Sequence, residues 1–225
     1  MKKFTHLLLI FPHPDDETFS AAGTVQLYKN TYQATITCAS LTAGEMGRNF
    51  GTPPMANRET LPRIRKEELE DACRIMGVDR LHHLGFRDKT LEFEQTEFLA
   101  NTLRDLIEKE QPDLVITFDP ELSIHPDHNA TGRAVIQAVG SMPKSARPQL
   151  YTKAITADAV DIIGEPHIIY DISDYMPLKK QAIAAHRSQA LEVNAITKQK
   201  LKEGADDPEA WIRYEQFWVH TFEDE

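Results

Sequence analysis

Cysteine is nearly missing from this sequence: Cys38 and Cys73 are the only two in 225 residues. Neither has a neighbouring cysteine at a metal-finger or redox spacing, which argues against a disulfide framework, a thiolate metal site or thiol chemistry. They read as reduced structural thiols. Positive charge is scarce as well. With 25 Lys and Arg against 35 Asp and Glu, the formal net charge is −10, which argues against nucleic acid and anionic lipid, since both attract basic surfaces. No apolar run approaches the roughly 20 residues of a membrane-spanning helix. Met1-Lys2-Lys3 ahead of Leu7 to Phe11 imitates the opening of a secretory signal, but the run is too short and ends in Pro12, His13 and Asp15. A cytoplasmic protein is expected.

What the chain does have is a 41% hydrophobic content, enough for an ordered core, and a regular alternation of strand and helix patterns. Strands are predicted at Leu7–Phe11, Ala34–Leu41, Arg80–Leu84, Leu114–Phe118 and Gln149–Ile155. Helical patterns cover Ala21–Lys29, Pro62 to the stop signal Gly77, the Leu99, Leu103, Leu106, Ile107 stripe, and Asn129–Val139. Later come an alternating run at His167–Ile172, suited to an antiparallel edge strand, a helix over Leu178–Leu191, and a helix or helix plus strand over Asp207–Val219 anchored by Trp211, Phe217 and Trp218. The expected fold class is α/β, doubly wound, with a mostly parallel sheet. Residues 1–225 are read as a single domain with an irregular carboxyl-terminal extension.

Chemistry concentrates where strands end. The first strand runs into Pro12-His13-Pro14-Asp15-Asp16-Glu17, at the carboxyl edge where open α/β sheets keep their ligands. His13 offers an imidazole nitrogen, Asp16 a carboxylate three residues on, and Pro14 restricts the turn between them. Asp15, left beside a metal position, is a natural general base for a water. Alone, this stretch could equally be a helix cap. The fourth strand, however, ends in a second such turn, His125-Pro126-Asp127-His128, and two turns at neighbouring strand ends can converge to give three ligands and an open position. The adjacent His82 and His83 are different: consecutive strand residues face opposite sides, so they read as structural. Glu45 and Arg48 lie in the glycine-containing loop after the second strand, Arg65 in the first turns of a helix, and Asp88 after the third strand.

The paired histidine motifs, together with Thr42-Ala43-Gly44-Glu45, Arg65 with Glu68 and Gly77, Asp88, and Lys180 through His186-Arg187-Ser188-Gln189, resemble the zinc-dependent N-acetylglucosamine deacetylases of the PIG-L/LmbE type. Within that family the length and the opening motif are similar to the second type of deacetylase of bacillithiol biosynthesis, which acts on N-acetylglucosaminyl malate. The resemblance implies an LmbE-like, Rossmann-like three-layer fold, with His13, Asp16 and His128 as metal ligands, Asp15 as general base, and His125 as the group that steadies the oxyanion or protonates the amine. It also implies substrate contacts from Glu45, Arg48, Arg65, Asp88 and His186, a Zn2+ cofactor with Fe2+ or Co2+ as substitutes, a small-molecule N-acetylglucosaminyl substrate, and a homo-oligomer, trimer or hexamer. Two positions depart from some relatives: Ser123 replaces a tyrosine, and Ile124 replaces an arginine of malate-accepting members. Another cation, from among Arg48, Arg58, Arg65 and Arg87, would then have to meet the carboxylates. Deacetylation of another N-acetylated glucoside or amine, phosphoester hydrolysis at the same metal turns, and metal-dependent sugar binding without turnover are the competing readings.

Overall fold

The computed structural model describes residues 1–48, 50–51, 53–189, 199–204 and 206–222. Strand β1 (His6–Phe11) is followed by α1 (Asp16–Tyr32), β2 (Thr35–Thr42), α2 (Leu61–Met76) and β3 (Arg80–Phe86). Then come α3 (Thr96–Glu110), β4 (Leu114–Phe118), α4 (Pro126–Gly140), β5 (Gln149–Lys153) and the short α5 (Ala159–Ile163). The chain continues through β6 (Ile168–Asp171), α6 (Met176–Ala185), the single turn α7 (Ala210–Arg213) and β7 (Tyr214–His220).

All seven strands form one sheet in the order β3-β2-β1-β4-β5-β7-β6. β1 to β5 run parallel, while β7 is antiparallel to both of its neighbours. Alternation along β1 divides the core: Leu7, Leu9 and Phe11 pack on one side with Val25 of α1 and Leu69 of α2, whereas Leu8 and Ile10 pack on the other with Leu103 of α3 and Val135 of α4. Strands buried on both faces give the continuous apolar runs of a parallel sheet. The result is three layers, helix, sheet and helix.

Strand order explains where a site can form. From β1 the chain winds outward through β2 and β3, and from β4 it winds the other way through β5, so the β1 and β4 ends flank a topological switch point. A crevice opens there at the carboxyl edge.

Several boundaries differ from the sequence expectation. α4 starts at Pro126 rather than Asn129, because proline suits the first helical turn and the His125 ring caps the helix by accepting from the Asp127 N–H at 3.2 Å. His128 is therefore inside the first turn. α6 ends at Ala185, with His186 as its cap, and Leu191 lies outside the described residues. The carboxyl-terminal part, expected to be irregular, places β7 between β5 and the edge strand β6. It is bolted to α1 by Glu215, whose carboxylate accepts from Gly23 N (2.9 Å), Thr24 N (2.6 Å), Thr24 Oγ1 (2.6 Å) and Lys179 Nζ (2.7 Å). His82 meets Glu110 of α3 and His83 faces Glu70 of α2, so the pair points to opposite layers. Both cysteines are free and buried. Among the described residues no helix is long and apolar enough to cross a membrane.

Candidate metal and catalytic site

The two histidine turns meet at the switch point. His13 Nδ1 lies 3.2 Å from an Asp16 carboxylate oxygen and 3.3 Å from His128 Nε2, and His128 Nε2 lies 3.4 Å from the other Asp16 oxygen. A tetrahedral ion with bonds of about 2.0–2.1 Å to nitrogen and oxygen would set its ligands roughly 3.3–3.4 Å apart. The three donors already hold that spacing.

Hydrogen bonds behind the rings fix which nitrogens face the centre. The far nitrogen of His13, Nε2, has Asp88 Oδ1 at 3.1 Å and Asp127 Oδ2 at 3.3 Å, so its N–H donates away from Asp16. His128 donates its Nδ1–H to the Ser123 carbonyl at 3.1 Å. Both inner nitrogens are left as lone pairs pointing toward each other and toward a carboxylate. Such a cluster is repulsive without a cation, and outer carboxylates and carbonyls of this kind are how proteins orient metal-binding imidazoles. The residues present fit a divalent metal. Burial alone would push the Asp16 carboxyl up, but the two facing histidines hold it well below the usual carboxylate range.

Other donor sets are near. Nitrogens of His13, His125 and His128 lie within 4.8 Å of one another, as do donor atoms of His13, Asp88 and Asp127. In the latter group Asp88 already accepts from Met46 N at 2.8 Å, and Asp127 from Lys89 N at 2.7 Å and Leu91 N at 3.1 Å. Those carboxylates are engaged in orienting the His13 ring. Asp127 is fully buried, and its own turn sequence was the only hint of this role.

Asp15 sits next to the cluster with a backbone φ of 104°, a strained value for a residue with a side chain. Glu17 accepts from its N–H at 3.1 Å, while Arg65 donates to its carboxylate at 3.1 Å and also to the Pro14 and Gly44 carbonyls. A Cβ on Gly44 would lie 2.0 Å from Arg65 Nη1, and its φ is +62°, so glycine is required for the guanidinium to reach in. Burial raises the Asp15 carboxyl to about 6, with Arg65 pulling the other way and Asp16 adding to the rise. His125 is lowered by burial and by the two neighbouring histidines. Since its Nδ1 accepts from Asp127 N, its proton sits on Nε2. The His13 and His125 ring centroids are 4.9 Å apart.

The residues expected to line a sugar pocket are placed differently from one another. Arg65 is buried against Asp15, and Asp88 against the His13 ring. Glu45 accepts from Asp88 N at 2.9 Å through one oxygen, while its other oxygen is buried with no partner among the described residues. His186 is buried beneath the site, 3.3 Å from Glu17 and 3.2 Å from the Thr18 hydroxyl. Arg48 is exposed. Ser123, at the position of the relatives' tyrosine, turns its hydroxyl to the Asp119 carbonyl at 2.7 Å and is fully buried.

Beside Asp16 and His128 opens a cavity of about 750 Å³, walled by Phe19, Phe118, Trp211 and Trp218 and reached by Lys153 from the end of β5. That volume is in the usual range for small-molecule sites, roughly 300–1,000 Å³.

Residues 8–139 match the PIG-L family model, described as GlcNAc-PI de-N-acetylase. A Bacillus cereus protein called probable N-acetyl-alpha-D-glucosaminyl L-malate deacetylase 2 is 45% identical over 97% of this chain and 99% of its own. A Bacillus subtilis protein of the same description is 42% identical over 97% and 99%. Among solved structures, N,N'-diacetylchitobiose deacetylase from Pyrococcus horikoshii, in complex with an inhibitor, superposes with a TM-score of 0.72 at 26% identity, covering 96% of this chain and 84% of that one. This chain belongs to the PIG-L family of de-N-acetylases.

Proposed function

We propose that this protein hydrolyses the acetamide of N-acetylglucosaminyl L-malate, releasing acetate and glucosaminyl malate, a step of bacillithiol biosynthesis. The observation that carries the reading is the convergence of His13 Nδ1, His128 Nε2 and the Asp16 carboxylate at 3.2–3.4 Å, with Asp15 alongside. His13, Asp16 and His128 would hold the metal, read as zinc, although iron(II) or cobalt suits two nitrogens and a carboxylate equally. When bound there, a divalent metal supplies Lewis acidity that eases deprotonation of a water near neutral pH and polarises the amide carbonyl.

The chain's own groups do the rest. Asp15, with a carboxyl near 6, is mostly ionised at neutral pH and takes the proton of the attacking water. Arg65 and the Glu17 carboxylate hold it in place against the strain of its backbone. The neutral His125 directs its Nε2–H at the oxygen that gains charge. The proton that Asp15 took from the water returns to the nitrogen, and the amine leaves as the C–N bond breaks.

The malate assignment is supported by the names of the relatives of this chain over nearly its whole length. A cytoplasmic location and a trimeric or hexameric assembly belong to the same reading. Free-amine release by zinc-loaded protein, measured on N-acetylglucosaminyl malate and on plain N-acetylglucosamine, tests it. Preference for the conjugate is the expected result, and phosphate release from a phosphoester with no amine release would refute it.

A further inference from the structure

We propose that Lys153 sets the substrate specificity of this enzyme, receiving a carboxylate of the sugar's aglycone in the cavity beside His128 and Asp16. The inference rests on the substrate reading above and adds the residue that reads the acidic group.

Lys153 ends β5 and is partly buried on the cavity wall. Among the residues lining that cavity, Asp16 and His128 are committed to the metal cluster, so Lys153 carries the one charge left over. No carboxylate lies within ion-pair distance of it among the described residues. Its ammonium sits over the face of Phe217, 5.6 Å from the ring centroid. Glu215 raises it somewhat from a distance but forms no ion pair with it, its oxygens being taken up by Lys179, Gly23 and Thr24.

Leaving an ammonium in a partly dry wall without a counter-charge is unfavourable, and a ligand carboxylate would relieve it. Burial and the nearby Lys179 lower the Lys153 ammonium to about 8 against a smaller opposing pull from Glu215, and an arriving anion would reverse that shift. Two further polar groups of residues lining the same cavity have no partner among the described residues, Trp211 Nε1 and the Thr156 hydroxyl. Both atoms are shut from solvent in this arrangement. A cation on the cavity wall opposite no carboxylate but the metal-committed Asp16 forms a receptor for an anion, and its position next to the metal cluster places that anion on the substrate being deacetylated. The arginines Arg58 and Arg65 are spent elsewhere, on the Glu45 and Gly47 carbonyls and on Asp15 respectively.

The test compares Lys153→Met and Lys153→Arg with wild type, all zinc-loaded. The ratio of kcat/KM for N-acetylglucosaminyl malate to that for methyl N-acetylglucosaminide should fall about tenfold to a hundredfold in Lys153→Met, the loss of one charge-assisted contact, and recover in Lys153→Arg. Calorimetric affinity for the amine product, glucosaminyl malate, should weaken by a similar factor, a readout that needs no turnover. An unchanged ratio and unchanged product affinity, or an equal loss on both substrates, would overturn the role of Lys153. A wild type that neither hydrolyses the conjugate nor binds its product would instead overturn the substrate reading, and with it this inference.

Discussion

The ion pair of Lys179 and Glu215 offers a quantitative test of how the carboxyl-terminal strands are held. Both side chains are buried, at 0% and 1% exposure, with 2.7 Å between Nζ and Oε1. Removing one partner of such a pair costs about 3–5 kcal/mol, because the other charge stays buried. The two removals should not be equal. Lys179→Met leaves the Glu215 carboxylate with Gly23 N, Thr24 N and the Thr24 hydroxyl still donating to it, so about 3 kcal/mol is expected. Glu215→Ala leaves the ammonium with the Phe19 carbonyl, at 2.9 Å, as its one remaining acceptor among the described residues, and strips the Thr24 hydroxyl of its acceptor, so about 5 kcal/mol is expected. The double variant Lys179→Met/Glu215→Leu, which buries no charge, should fall within about 2 kcal/mol of wild type. Urea unfolding followed by tryptophan fluorescence is the assay. With a slope of about 3 kcal/mol per molar, Lys179→Met should lower the midpoint by about 1 M. Midpoints in the reverse order, or a double variant that loses the sum of the single losses, would refute the reasoning.

Metal analysis of His128→Ala should find the bound ion lost, whereas Asp15→Asn should keep it stoichiometrically and lose most turnover; stoichiometric zinc in His128→Ala would remove that residue from the ligand set. Asp127→Asn should weaken zinc affinity by about tenfold to a hundredfold in competition with a chelator, since it unsettles the His13 ring without touching the ion. The pH profile of kcat/KM should rise as pH increases through about 6, where Asp15 becomes the proton-accepting carboxylate. Because Arg65 lowers that carboxyl, Arg65→Met should shift the acidic limb to higher pH; a loss of rate uniform across pH would deny the link. Gly44→Ala should shift the limb the same way, through displacement of the Arg65 guanidinium.

Much of the site was legible because its chemistry is local. The apolar run of β1 followed at once by His13, Asp15 and Asp16 announces both a buried strand and what stands at its end, and the turn after β4 repeats the arrangement. Pairing across the sheet was not legible: nothing in Tyr214 to His220 says that this strand inserts between β5 and β6. The partners of Arg65, Asp88 and Glu45 were equally hidden, since a charged residue near a strand end looks the same whether it faces a ligand or another side chain. Arg65 is drawn to Asp15 only because Gly44 leaves room, a steric fact with no sequence signature beyond the glycine itself. Lys153 reads as an ordinary lysine closing a strand until the burial of its neighbours and the commitment of Glu215 are known.

The insertion of β7 has a consequence for how the protein is made. β6 leaves the ribosome before β7, yet it has no neighbour in the sheet except β7. Until β7 arrives, the backbone of β5 is a bare edge open to any other extended chain, and β6 has nowhere to dock. A chain folded only as far as β5 would hold five parallel strands with one adhesive side. Glu215, Gln216 and Trp218 all arrive on that late strand. Covering the β5 edge and building the cavity wall are thus a single event.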